Sequence, residues 1–200
     1  MKIITSIIIT FLLFSCGNTE EKSAKQIKMD EIQSEIDTLE KELSNIDTQI
    51  EIIGQLKYEV NNIKLLTLHW VENQTRSDSK EKMELIECEK KCIEIIAKIK
   101  DSKDFEMLNS QIKDIAQQLD EVLILVNEIK TTLPDFASYE DLSNQFLTQV
   151  MIEPGGDFDL TIENLLLEIN SLKIFCQKEK AQVQIEIESK RLSLKNLSAY

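Results

Sequence analysis

Between Phe105 and Leu133 apolar residues recur at 105, 108, 112, 115, 119, 122, 126, 129 and 133, in strictly alternating steps of three and four. A helix with 3.6 residues per turn gathers such positions onto one stripe, whereas a strand needs a period of two. The positions between are mostly charged or amide-bearing, so the stripe must be covered by other helices packed along a seam. The rest of the chain obeys the same rule. Met29, Ile32, Ile36, Leu39, Leu43, Ile46, Ile50 and Ile53 form a second stripe, which resumes after Gly54 at Leu56, Val60 and Ile63 with a one-residue phase shift. Such a shift locally overwinds or bends a seam. Leu85, Cys88, Cys92, Ile95 and Ile99 make a third stripe, and Ile162, Leu165, Ile169, Leu172, Cys176 and Val183 a fourth. With only four Gly and two Pro in 200 residues, little interrupts them. The fold class is all-α.

The breaks decide the architecture. Asn73 to Ser79 is a polar turn, Pro134 stops the helix before it, and Pro154-Gly155-Gly156 is the firmest interruption. A short helix is expected over Tyr139–Ile152 with Ser138 as its N-cap, and Asp159 is placed to cap the last one. Val183, Ile185 and Ile187 alternate like a strand, but no partner strand exists for them, so the tail reads as helix. Asp101-Ser102-Lys103-Asp104 interrupts the phase without Gly or Pro, and is either a kink or a reversal. A kink gives an elongated antiparallel bundle of three arms, 24–72, 80–132 and 138–197, each about 70–85 Å long. A reversal gives a compact bundle of four or five helices around a long first one. The three-arm form is the reading taken. It sends the third arm parallel to the first and gathers Trp70, Arg76, Arg191 and Tyr200 at one distal tip, the expected binding surface.

The N-terminus carries a different pattern. Met1-Lys2 is a minimal basic region, Ile3 to Phe14 is apolar apart from Thr5, Ser6 and Thr10, and Ser15 precedes Cys16 and Gly17. Twelve to fifteen residues fall short of the about 20 that span a bilayer, so the segment reads as a removed signal. Leu13-Phe14-Ser15-Cys16-Gly17 resembles a bacterial lipobox, Phe14 departing from the commoner residue at that position. The resemblance implies cleavage before Cys16 and lipid on that cysteine, and two or more acyl chains hold a protein stably at a membrane. Three segments follow: signal peptide 1–15, lipidated cysteine and polar tether 16–28, and helical body 29–200.

Charge and reactive residues narrow the function. Residues 1–15 hold Lys2 and no acid, so the mature body keeps 22 of 23 basic residues against 36 acidic ones. That balance argues against nucleic acid and against anionic headgroups as partners, since phosphate binding runs on concentrated Lys and Arg. An exported protein meets oxidising conditions. In the three-arm register Cys92 and Cys176 lie equidistant from Pro134, which predicts a disulfide between them, with Cys88 as the substitute. The alternative is three buried thiols. One histidine, His69, and a Cys-x3-Cys pair give no tetrahedral ligand set, so no metal and no cofactor are expected. His69 reads as a partly exposed residue at a helix end. A nucleophilic pair of His69 with Cys88 lacks an oxyanion loop and an orienting third group. Glu153 to Asp159 lacks the alternating ligands of a calcium loop. No catalytic residue emerges, and an enzyme is not expected.

The lax lipobox, short charged tether and Ile/Lys/Glu-rich body together resemble helical surface lipoproteins of spirochaetes such as Borrelia, some of which capture host complement regulators like factor H. The three body cysteines depart from that group's low cysteine use. The resemblance implies a non-enzymatic protein-binding module, lipid-anchored through Cys16 at the outer membrane and facing the cell surface. Two other roles suit the same helices: a periplasm-facing structural or assembly lipoprotein, and an inhibitor or immunity-type lipoprotein. The regular seam of the first arm also suits a homo-oligomer, against the alternative of packing within one chain.

Overall fold

The structure is a computed structural model that describes residues 24–72, 79–136 and 156–199. For 70–72, 79–81, 103, 104, 107 and 132–136 the description is of backbone alone. All regular structure among these residues is helical: α1 (Ala24–Glu72), α2 (Ser79–Asp101), a 3-10 segment (Lys103–Leu108), α3 (Asn109–Phe136) and α4 (Asp157–Ala199). The described residues divide into two compact units, one within 40–185 and a smaller one made of 24–39 with 186–199. α1 and α4 contribute to both.

In the larger unit the four helices run alternately up and down. α1 meets α4 through Lys57 Nζ to Asn170 Oδ1 at 2.9 Å, Lys64 Nζ to Asp159 Oδ1 at 2.9 Å and Lys180 Nζ to Asp47 Oδ1 at 2.6 Å. As the α1 number rises the α4 number falls, so the two are antiparallel. Lys91 Nζ lies 3.8 Å from Glu59, joining α2 to α1, and Lys130 Nζ lies 2.5 Å from Glu89, joining α3 to α2. The last pair is decisive. Residues 89 and 130 on one kinked arm would stand about 60 Å apart at 1.5 Å per residue. The chain therefore reverses after Asp101, and the larger unit is an up-down-up-down four-helix bundle in place of the expected kinked second arm.

The reversal needs no Gly or Pro because a 3-10 turn makes it. Ser102 N–H donates to the Ile99 carbonyl and Phe105 N–H to the Ser102 carbonyl, both at 3.2 Å. Side chains three apart eclipse in a 3-10 helix, which points Phe105 and Leu108 together into the core, both buried. The seam read from the sequence continues from there through Ile112, Ile115, Leu119, Val122, Val126 and Ile129, every one buried. Leu133 lies where only backbone is described. The α4 stripe is likewise buried from Ile162 to Val183, and the tail beyond is helix, with Ile185 outside. On α2 the buried residue is Ile96, with Ile95 half-buried. In α1 the phase shift falls at Ile52 and Ile53, both buried, and the helix passes through Gly54 unbroken.

Three boundaries differ from expectation. α3 continues two residues past Pro134. Asp159 sits inside the first turn of α4 and not ahead of it, where a negative charge suits the helix dipole, and it accepts from Lys64; the Gly156 carbonyl accepts the first helical bond, from Leu160 N–H at 2.9 Å. The helix expected over 139–152 and its Ser138 cap lie outside the described residues.

The smaller unit pairs the start of α1 with the end of α4. Lys190 Nζ lies 2.5 Å from Glu35 Oε2, with Ile36 and Ile187 buried beside it. Met29, Ile32, Leu39, Leu194 and Leu197 are half-buried, as two helices alone can cover only a narrow stripe.

Candidate functional site

The up-down order puts α2 beside the middle of α1, and between them runs a groove with two concavities. One, of about 550 Å3, lies among Glu51, Gln55 and Tyr58 of α1 and Glu94, Ile95 and Lys98 of α2. The other, of about 690 Å3, lies among Asn62, Leu65 and Leu66 of α1 and Met83, Glu87 and Cys88 of α2. Lys91 borders both. The α1 residues recur at helical spacing on the face next to the buried stripe, so this is the shoulder that two neighbouring helices leave uncovered. Three apolar side chains stand open along it: Tyr58 and Leu65 at 64% exposure each, and Met83 at 70%.

At its floor, Cys88 shares a hydrogen bond with the half-buried Glu59 carboxylate, which also meets Lys91. Burial, then the Glu59 bond and charge, push the Cys88 thiol up to about 11. One turn on, burial and the neighbouring Glu59 push Cys92 up to about 12. Cys176, on α4, is raised by burial as well. A thiol is nucleophilic as its thiolate, and at neutral pH these three are held protonated.

The sequence-predicted residues are not gathered as expected. Cys88, Cys92 and Cys176 are free and buried, so the predicted Cys92–Cys176 bridge, and Cys88 as substitute, give way to the alternative of buried thiols. Register explains this. The α1–α4 contacts bring Cys176 level with about residue 51 of α1, and the Lys91 contact brings Cys92 level with about residue 58, some 10 Å apart along the bundle. Cys88 faces Glu59, ten residues and about 15 Å along α1 from His69, which is exposed in the last turn. Of the expected tip residues, Arg191 stands on the α4 end that pairs with the start of α1 in the smaller unit, and Trp70 belongs to the larger one. Cys16, Arg76 and Tyr200 lie outside the described residues. Among those residues no His, Cys, Asp or Glu cluster has metal-ligand geometry, and no helix is long and apolar enough to cross a membrane.

The groove residues were missed because the stripes draw attention inward. Their signal was present: Tyr58 and Leu65 are apolar, off the stripe and seven apart. The same spacing leaves Leu160, Leu167 and Ile174 exposed on α4. No family model, curated protein or solved structure matches this chain.

Proposed function

We propose that the chain is a lipid-anchored surface protein of the bacterial outer membrane that binds a protein partner and performs no catalysis. The observation that supports this most is the α1–α2 groove, with Tyr58 and Leu65 repeating every seven residues and Met83 opposite. Seven-residue spacing on an exposed face is what an incoming helix packs against. The thiols, pushed to about 11 at Cys88 and about 12 at Cys92, are poor nucleophiles, in keeping with a binding role. Membrane attachment follows from the lipobox resemblance at Leu13 to Cys16. A host complement regulator is the partner class suggested by the likeness to spirochaete surface lipoproteins.

The test takes the delipidated body against host serum and against envelope extract. The reading expects saturable capture of a serum protein, weakened at least about tenfold by Tyr58→Asp with Leu65→Asp, the size of effect one central interface side chain produces. Capture of envelope proteins alone would move the assignment to a periplasm-facing assembly role, and protease shaving of intact cells separates those two locations. Cys16→Ser should abolish acyl labelling and, in about 0.5 M salt where surface charge is screened, release the protein from membranes. A variant that still takes the acyl label, or stays attached at that salt, would overturn the anchor.

A further inference from the structure

The net charge of −13 conceals one local reversal of sign. Because α4 returns antiparallel, its end lies beside the start of α1, with Lys190 on Glu35 fixing the register. Within 24–35 and 189–199 stand five cations, Lys25, Lys28, Lys190, Arg191 and Lys195, against three carboxylates, Asp30, Glu31 and the Glu35 that pairs with Lys190. That patch is net +2, so the remaining residues sum to −15. Lys25, Lys28 and Lys195 are exposed and form no ion pair with another described residue. Ile27 and Leu192 stand among the cations at 47% and 60% exposure. The dipole ends of two antiparallel helices offset each other here, so the side chains set the sign.

We propose that this end of the α1–α4 pair rests on anionic lipid headgroups. Clustered lysines beside an anchor are drawn to a negative surface, and exposed apolar side chains among them enter the boundary layer. The sequence supplies the proximity: seven residues separate Cys16 from Ala24, a reach of at most about 28 Å when fully extended. Those residues add Glu20, Glu21 and Lys22, which leaves the region net positive. The overall acidity, read as excluding anionic headgroups, averages over this separation of charge.

The proposal rests on the Cys16 anchor for its location, yet binding is measurable without lipid. The body from residue 17, which keeps every described helix, is sedimented with vesicles of phosphatidylcholine alone or mixed with phosphatidylglycerol. Binding is expected only to the mixed vesicles and is lost as salt rises from about 0.05 to 0.5 M, where the screening length drops below about 5 Å. Lys25→Gln with Lys28→Gln and Lys195→Gln should weaken it at least about tenfold, while Lys100→Gln with Lys113→Gln and Lys178→Gln, outside the patch and the groove, should leave it unchanged. Circular dichroism establishes that each variant stays helical. Equal binding to neutral vesicles, no binding to the mixed ones at low salt, or equal effects of the two triple variants would each overturn the proposal. Acyl labelling of Cys16 is read separately, so failure of the anchor and failure of the headgroup contact are distinguishable.

Discussion

Lys130→Met is the most informative single change in the bundle. The Lys130 and Glu89 side chains are only 12% and 18% exposed, and their 2.5 Å contact crosses from α3 to α2. Removing one member of a fully buried pair costs about 3–5 kcal/mol, because the other charge is stranded. An exposed pair is worth about 0–1 kcal/mol. With both groups mostly but not wholly covered, Lys130→Met is expected to cost about 2–3 kcal/mol, and Glu89→Leu similarly. The double variant strands no charge, and should return to within about 1 kcal/mol of the parent. The coupling in this cycle is then about 2 kcal/mol or more. Urea unfolding followed by circular dichroism reads it as a midpoint shift of about 1 M in each single variant, for a slope near 2 kcal/mol/M. Strictly additive effects would refute the reasoning. They would mean that residues 89 and 130 do not meet, and that the chain continues past Asp101 without turning back.

Three further outcomes follow from the packing. Ile162→Ala empties a fully buried position and should cost about 2–5 kcal/mol, while Leu167→Ala, at 61% exposure one face away, should change stability by about 0.5 kcal/mol or less; thermal unfolding compares them. Gly54→Ala should stabilise by about 0.5–1 kcal/mol, since Gly54 lies mid-helix and its new Cβ would meet only the Lys173 Nζ, at an ordinary 3.7 Å. The thiols carry a pH signature. Cys88 and Cys92 are raised from the ordinary 9.0 to about 11 and about 12, so the unfolded chain loses these protons first. Their contribution is complete below pH 9 and is lost as pH rises towards 11–12. Denaturant midpoints of the parent should fall between pH 8 and pH 10 more steeply than those of a Cys88→Ala, Cys92→Ala variant, and equal slopes would contradict the burial.

Periodicity made the faces legible but not the directions. The seam from Phe105 to Ile129 was readable residue by residue, because every third or fourth position must be apolar to lie on the buried side. A stripe looks the same whichever way the next helix runs. At Asp101–Asp104 the turn is a 3-10 segment built from ordinary residues, with no Gly or Pro to announce it. The wrong direction there carried forward, pairing Cys92 with Cys176. The signal for α4 was in its charges: Lys57, Lys64 and Lys180 find Asn170, Asp159 and Asp47 only in the antiparallel register. Pairing partners separated by 95 to 133 residues cannot be chosen from a single chain. The groove was hidden for a related reason, since off-stripe apolar residues carry no periodic demand of their own until a neighbouring helix makes a wall beside them.

The contact between Glu35 and Lys190 spans 155 residues of chain, whereas Glu89 and Lys130 meet across a single hairpin. Closing a loop costs more as it lengthens, and distant pairings form late. The α2–α3 hairpin is therefore suited to form early and the α1–α4 end pair to close last. For a chain emerging in order during synthesis, the start of α1 must wait for nearly all the described helices before its partner arrives. During that interval its half-covered Met29, Ile32 and Leu39 stand without α4, which makes this first stretch of helix the one most in need of shielding before the chain is finished.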